Sequence, residues 1–323
     1  EKVTSFVFTN NTGEIEKIKK EKDLLTRMGK KVHEHKDCPP FESVYAISVS
    51  DTYVFHPLKY IYALKEKIKE NIAIYESTKV TSVKKNGNHY TCYTKKGKIS
   101  AKKVVFACHY PFFIIPYFLP LKVNVEKSYI SASVTTTIKP LTAITSTLPC
   151  KSIRYHKDEK SYLIYLSQSH TLNNHLNEKK NFQNCINEAK KLGVTPSYIW
   201  QNDDMMTLDK MPYIGYIKNN NKDLLMGCGY NTWGMTNGTI AGKILSDMIL
   251  ERTNIYEKLF NPLRIKFTSN IKERLSIVGN STKSYLGNKM FILKKEMVKV
   301  LEFIKMTMEN MLFIINALIW DAL

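Results

Sequence analysis

Leu224-Leu225-Met226-Gly227-Cys228-Gly229-Tyr230-Asn231-Thr232-Trp233-Gly234-Met235-Thr236-Asn237-Gly238-Thr239-Ile240-Ala241-Gly242 reads as a short apolar strand that passes through a glycine-rich turn straight into a helix. Such a junction is a ligand site by construction. Glycines allow sharp turns and close approach of a bound group, and the first N–H groups of the helix face outward without partners of their own. Tyr230 and Trp233 are large aromatics to place in a turn and suit the wall of a pocket for a planar ligand. Thr236 is expected to cap the helix, whose buried side is read as Ile240, Ile244, Leu245, Met248 and Ile249. The alternative reading is a tightly turned structural junction. The stretch is not GxGxxG, and no such fingerprint occurs elsewhere in the 323 residues.

Working outward, the segment Gly229 to Thr236 is preceded by Asp209-Lys210-Met211-Pro212-Tyr213-Ile214-Gly215 and followed by Phe260-Asn261-Pro262. In that order the three elements resemble the carboxy-terminal signature of the FAD-dependent amine and amino-acid oxidoreductases of the D-amino-acid oxidase and glycine oxidase type. Phe55-His56-Pro57-Leu58-Lys59-Tyr60 and Lys103-Val104-Val105-Phe106-Ala107-Cys108-His109-Tyr110-Pro111 are similar to internal elements of that family. The likeness covers about residues 40 to 262 and is greatest to a bacterial subgroup often fused to a Rieske domain. It implies an α/β fold: a split FAD/NAD(P)-binding, Rossmann-like domain with a mixed or antiparallel β-sheet substrate domain.

Two departures qualify the resemblance. The family opens with a strand, a GxGxxG turn and a helix that hold the FAD pyrophosphate, and this sequence starts at Glu1, apparently inside that pattern. The expectation is either a fragment or a truncated relative. Beyond residue 262 no Cys-x-His and Cys-x-x-His pair follows, so no Rieske ligand set is present in these residues.

The implied domains are discontinuous. Residues 1–54 are expected in the substrate domain, 55–125 in an FAD-binding portion with a β-meander, and 126–203 in the main substrate segment. Residues 204–262 return to the FAD-binding domain, and 263–323 form a helical extension. Local patterns give strands at Ser43 to Val49, Ile72 to Tyr75, Lys79 to Lys84, His89 to Thr94, Lys103 to Ala107, Tyr129 to Thr137, Leu141 to Thr147 and Tyr162 to Ser167. Helices are expected from Pro57 and over Asn181 to Leu192. The three-and-four spacing of Met297, Leu301, Ile304, Met308, Met311 and Ile315 predicts an amphipathic helix. Packing, self-association through 297–320 and peripheral membrane contact are its open roles.

For the site, the resemblance implies FAD with a small amine or amino-acid substrate. Gly229, Tyr230, Asn231, Trp233, Gly234, Met235 and Thr236 would border the cofactor, with Gly234 and Met235 offering backbone donors to the flavin pyrimidine edge. Val80 matches the position whose backbone meets the adenine. Catalytic candidates are His56, before the helix-opening proline; His109, at the carboxyl end of a strand; Tyr129; and Arg154, whose fork suits a carboxylate. Each also has a structural reading, as a hydrogen-bonding or packing group. Asp204 and Asp209 are read as ordering the turn toward Pro212.

With 48 Lys+Arg against 29 Asp+Glu the formal charge is +19. The lysines fall in short bursts expected on solvated faces, so no specific nucleic-acid binding is expected. Six cysteines are scattered without a disulfide or zinc pattern, and the expected location is cytoplasmic. Two functions remain open: an FAD-dependent oxidoreductase in the full-length protein, with this fragment inactive alone, and a noncatalytic relative or interaction protein that retains the fold.

Overall fold

The computed structural model describes residues 1–109, 122–147, 150–171, 177–218 and 220–264. The amphipathic repeat at 297–320 lies outside these residues. In chain order the elements are β1 (Lys2–Thr9), α1 (Ile15–Arg27), β2 (Val32–His35), β3 (Tyr45–Tyr53), α2 (Pro57–Ile68), β4 (Val80–Asn86), β5 (His89–Thr94), β6 (Gly97–Ala101) and β7 (Val104–Phe106). There follow β8 (Val123–Val134), β9 (Leu141–Thr145), β10 (Ser152–Lys157), β11 (Ser161–Thr171), α3 (Glu178–Lys191) and β12 (Tyr198–Thr207). The described chain closes with β13 (Tyr213–Lys218), β14 (Asn221–Cys228), α4 (Gly234–Ile249) and α5 (Glu257–Phe260).

The fold is mixed α/β with a large sheet domain. Eight strands run in the order β12-β8-β11-β10-β9-β1-β3-β2, antiparallel throughout except for the parallel pair of β1 and β9. Long strands form because β8 and β11 alternate: Leu163 and Tyr165 turn to one face and are buried, while Tyr162 and Ile164 turn to the other. On the first face they pack with Phe8, Ala143, Ile153 and Ala189, the last contributed by α3. That helix starts at Asn177, whose side chain accepts from the Lys180 N–H at 3.0 Å.

The second sheet, β13-β14-β7, is small, and β7 lies parallel to β14. Its two faces divide the apolar residues as a period of two requires. Phe106 and Met226 face Val123 and Met205 from the ends of the long strands. Ile214 and Leu225 face Ala241, Ile244, Leu245 and Met248 of α4 and Phe260 of α5. A three-stranded meander, β4-β5-β6, inserts before β7.

Differences from the sequence reading are local. Ile72 to Tyr75 forms no strand, and Ile72, Ile74 and Tyr75 are exposed; an apolar run without a pairing partner leaves its backbone to water. The helix α4 begins at Gly234 with Trp233 as its N-cap and no side-chain capping bond, so Thr236 lies in its first turn. Ile240 is exposed and Ala241 takes its place inside. Strands β10 and β12 escape the sequence reading, being interrupted by charged and amide residues.

Gly215 explains why two of the sequence elements travel together. Its φ is +139°, a region essentially restricted to glycine, and a Cβ there would stand 3.1 Å from Cδ of Pro262. Gly215→Ala is expected to cost about 1–3 kcal/mol through backbone strain, read as a lower denaturation midpoint with an unchanged m-value.

Candidate functional site

The loop between β14 and α4 is held from beneath by one buried side chain. Asn231 accepts at Oδ1 from the Thr207 N–H (2.7 Å) and hydroxyl (3.2 Å), and its Nδ2 donates to the Gly229 carbonyl at 2.9 Å. Its own N–H reaches the Met205 carbonyl at 3.4 Å. The turn is thereby stitched to the end of β12. Gly229 has φ +69°, and a Cβ there would lie 2.5 Å from the Thr207 methyl, so only glycine passes. Asn231 (φ 51°) and Thr232 (φ 68°) are also left-handed; for a β-branched threonine this is stored strain, a feature that concentrates at ligand sites.

What the loop presents is a helix start without partners. Among the described residues the N–H groups of Gly234, Met235 and Thr236 have no acceptor, while Asn237 N–H closes the first turn onto Trp233 at 2.9 Å. Trp233 is 66% exposed beside them. Tyr230 turns the other way and lines an apolar groove of about 460 Å³ between α4 and the edge strand β7, with Val105, Ala107, Ala241 and Leu245. Burial pushes its hydroxyl up to about 12.

A second clamp fixes the segment that enters β13. Arg264 makes a paired contact to Asp209, both N···O distances being 2.8 Å, and donates to the carbonyls of Pro212 (2.9 Å), Phe260 (3.1 Å) and Asn261 (3.2 Å). Its guanidinium also stacks 4.2 Å from the Tyr213 ring centroid. The sequence reading of Asp209 as a turn residue is part of this, since its Oδ1 accepts from Met211 N–H at 3.2 Å. Arg264 itself, one residue past the Asn-Pro-Leu run, was not singled out; a buried arginine carries no local pattern.

The four catalytic candidates do not converge. His109, exposed at the end of β7, borders an open cleft of about 580 Å³ with Gln201, Asn202, Asp203 and Asp204 of β12. His56 caps α2 through Nδ1, which accepts from Lys59 N–H at 3.4 Å, and its ring stands 5.2 Å from that of His156 on β10. Arg154 donates to the Phe55 carbonyl, so His56 and Arg154 both lie where α2 meets β10. Tyr129 is fully buried on the α3 face, hydrogen-bonded by Asn181 at 3.3 Å and packed edge-on against Phe182. Val80 opens β4 beside a register irregularity. Asp204, read from sequence as a turn residue, lies instead on an edge strand beside His109. Burial raises its pKa, and His109 opposes that shift.

Among the described residues no group of three metal-ligating side chains is found, and no helix is long and apolar enough to cross a membrane. Among the described residues no disulfide is formed; burial raises the Cys38 and Cys228 thiols to about 12 and suits them to packing.

Comparison with known proteins agrees with this geometry. The family described as DAO, FAD dependent oxidoreductase, matches residues 7–248. A Bacillus subtilis (strain 168) protein named "Putative Rieske 2Fe-2S iron-sulfur protein YhfW" is 26% identical over 297 residues, 88% of this chain. The chain spans only 57% of that relative's length. Among solved structures, glycine oxidase from Geobacillus kaustophilus superposes with a TM-score of 0.68 at 15% identity, over 82% of this chain and 75% of that one. Glycine oxidase from Bacillus cereus ATCC 14579 gives 0.65 at 18% identity (83% and 77%), and L-proline dehydrogenase from P. horikoshii gives 0.61 at 17% (82% and 76%). At such identities the superpositions establish the fold.

Proposed function

The chain belongs to the DAO family of FAD dependent oxidoreductases, and from that premise we propose that the full-length protein oxidises an amine or amino acid, the bound FAD accepting the hydride. The observation that carries this reading is the start of α4. Three free N–H groups, a strained left-handed loop and an exposed tryptophan are grouped at the carboxyl end of the parallel pair β7 and β14. Open α/β sheets bind ligands at that end, and the positive end of a helix favours a group that gains negative charge on reduction. Gly234, Met235 and Thr236 would supply the donors, while Asn231 and Gly229 hold the loop that aims them.

The residues present fit one end of FAD. The diphosphate end calls for a glycine turn after a strand, and these 323 residues contain no GxGxxG. Among the described residues β7 is an edge strand of its sheet, and the apolar groove lies between it and α4. The 26% identity to the Bacillus protein supports placing the chain in the bacterial subgroup associated with Rieske domains. The scattered cysteines, which show no disulfide pattern in the sequence, support a cytoplasmic setting.

The test is the absorbance of the purified 323-residue protein between about 350 and 500 nm after FAD is added and the excess removed. A retained flavin band, accompanied by quenching of Trp233 emission, is the expected result if the α4 end suffices for binding. A folded protein without the band favours the noncatalytic reading for these residues.

A further inference from the structure

Two cysteines that stand far apart in the sequence are brought together at the ligand end of the small sheet. Strands β7 and β14 run parallel, with Phe106 opposite Met226. Both of these side chains belong to one buried cluster, so they share a face of the sheet. A strand repeats its facing every second residue, and two residues on from this pair stand Cys108 and Cys228. Both pack into that same cluster, Cys228 as a buried member and Cys108 at its margin. None of the other four cysteines belongs to it.

Strand spacing makes the pair bridgeable. Neighbouring strands lie about 4.8 Å apart, and a disulfide spans Cα separations of about 4.4–6.8 Å when both Cβ vectors point to the same side. The two thiols also feel each other electrostatically: burial raises the Cys228 thiol to about 12, with Cys108 adding to the shift and Arg264 opposing it.

The two sulfurs differ in access. Cys228 is 1% exposed, whereas Cys108 is half-buried between the exposed Ala107 and His109. A small oxidant reaches one thiol and finds the other shielded behind it, as an attacking and a resolving cysteine require. Their place in the fold gives the pair a consequence. Cys228 immediately precedes Gly229 of the glycine loop, and Cys108 follows β7 at the carboxyl end of the parallel pair, where open α/β sheets bind ligands.

We propose that Cys108 and Cys228 form a reversible dithiol–disulfide pair, oxidised by hydrogen peroxide, that ties the end of β7 to the start of the glycine loop. The Cys108 sulfur attacks the peroxide: an S–O bond forms, the O–O bond breaks and one water leaves, giving a sulfenic acid. The Cys228 sulfur then attacks that of Cys108: the S–S bond forms, the S–O bond breaks and a second water leaves with the Cys228 proton. Two thiols are thereby oxidised and one peroxide is reduced to two waters. Burial disfavours the Cys228 thiolate, so the second step is the slower. Small-molecule thiols reverse the bridge by exchange, which keeps the pair reduced in a cytoplasmic setting until peroxide is present.

Peroxide treatment of the folded, flavin-free 323-residue protein, followed by alkylation in denaturant, non-reducing tryptic digestion and mass spectrometry, tests this. Cys108 and Cys228 fall in separate tryptic peptides, 104–122 and 223–243, each with a single cysteine. The expected product is these two peptides joined, lighter than their sum by two hydrogens and separated again by dithiothreitol. The same treatment in urea is expected to lose the preference for this pairing over the other combinations of cysteines. Cys108→Ser, at the half-buried position, is expected to leave the Cys228 thiol open to alkylation after peroxide. Recovery of both wild-type peptides unjoined overturns the proposal, as does joining no more frequent in the folded than in the unfolded protein. Loss of the Cys228 thiol at the wild-type rate in Cys108→Ser also overturns it. No flavin takes part in the measurement, so a failure of the oxidoreductase reading would leave the pair standing.

Discussion

Arg264→Ala is expected to lower the stability of the protein by about 3–5 kcal/mol, the range for removing one partner of a buried ion pair. Arg264 and Asp209 are 8% and 9% exposed, so neither can turn to water when the other is lost. The guanidinium also satisfies the carbonyls of Pro212, Phe260 and Asn261, and these are not reached by any other arginine in the contacts described. Truncation therefore takes the two-pronged contact away from the buried Asp209 carboxylate and leaves carbonyls at the end of α5 without this donor. Chemical denaturation monitored by tryptophan emission reads the loss. A change below about 1 kcal/mol, the worth of an exposed pair, would show that solvent already reaches the clamp. Arg264→Lys separates charge from geometry: lysine keeps the charge but not the two-pronged contact, and should recover less than half of the loss.

Asn231→Ala is expected to cost about 2–3 kcal/mol and to abolish whatever flavin retention the protein shows. The Thr207 N–H is buried and has its acceptor in Asn231 Oδ1 at 2.7 Å, and leaving such a donor unmade costs about 1–3 kcal/mol on its own. The Gly229 carbonyl loses its donor in the same step. Alanine also tolerates φ of 51° less well than asparagine. The effect on the ligand follows from placement: the loop that Asn231 pins to β12 is the loop that starts α4, so the three free N–H groups lose their fixed direction. Asn231→Asp keeps the acceptor for the Thr207 N–H but replaces the Nδ2 donor to the Gly229 carbonyl and the Thr207 hydroxyl with an oxygen and buries a carboxylate beside that carbonyl, and should be no better than alanine in stability or flavin retention. Wild-type retention in Asn231→Ala would mean that the loop does not aim the cofactor.

The glycine-rich strand-to-helix junction was legible because its signals are local. Gly229, Asn231 and Gly234 in succession are costly anywhere but in a turn, and the run of Leu224 to Met226 ahead of them is a strand in any context. The same holds for the meander, whose turns are marked by Asn86-Gly87 and Gly97. Strand β12 was not legible in this way. Gln201-Asn202-Asp203-Asp204 has no apolar alternation, and it is a strand because β8 offers it ten consecutive partners from Thr207 opposite Val123 to Tyr198 opposite Ala132. Pairing satisfies backbone groups regardless of what the side chains prefer.

Side-chain assignments divide along the same line. Tyr129 and His109 were both candidates in the sequence, a tyrosine in a strand and a histidine after one. Register sends Tyr129 to the face covered by α3 and leaves His109 at an open cleft, and a shift of one residue would have exchanged faces for every side chain on β8. Arg154 offered a carboxylate anchor by its chemistry alone; in the fold one of its terminal nitrogens donates to the Phe55 carbonyl. Local patterning by itself marked the glycine-rich junction, and the motifs around it carried the resemblance that implied the α/β class and the candidate residues, because turn strain and apolar periodicity act over a few neighbours. Which charged side chains meet, Asp204 with Glu126 across the strand pair and Arg264 with Asp209, was decided by tertiary structure alone, because a charge and its neighbour are brought together by strand register and chain return across separations that no local pattern records.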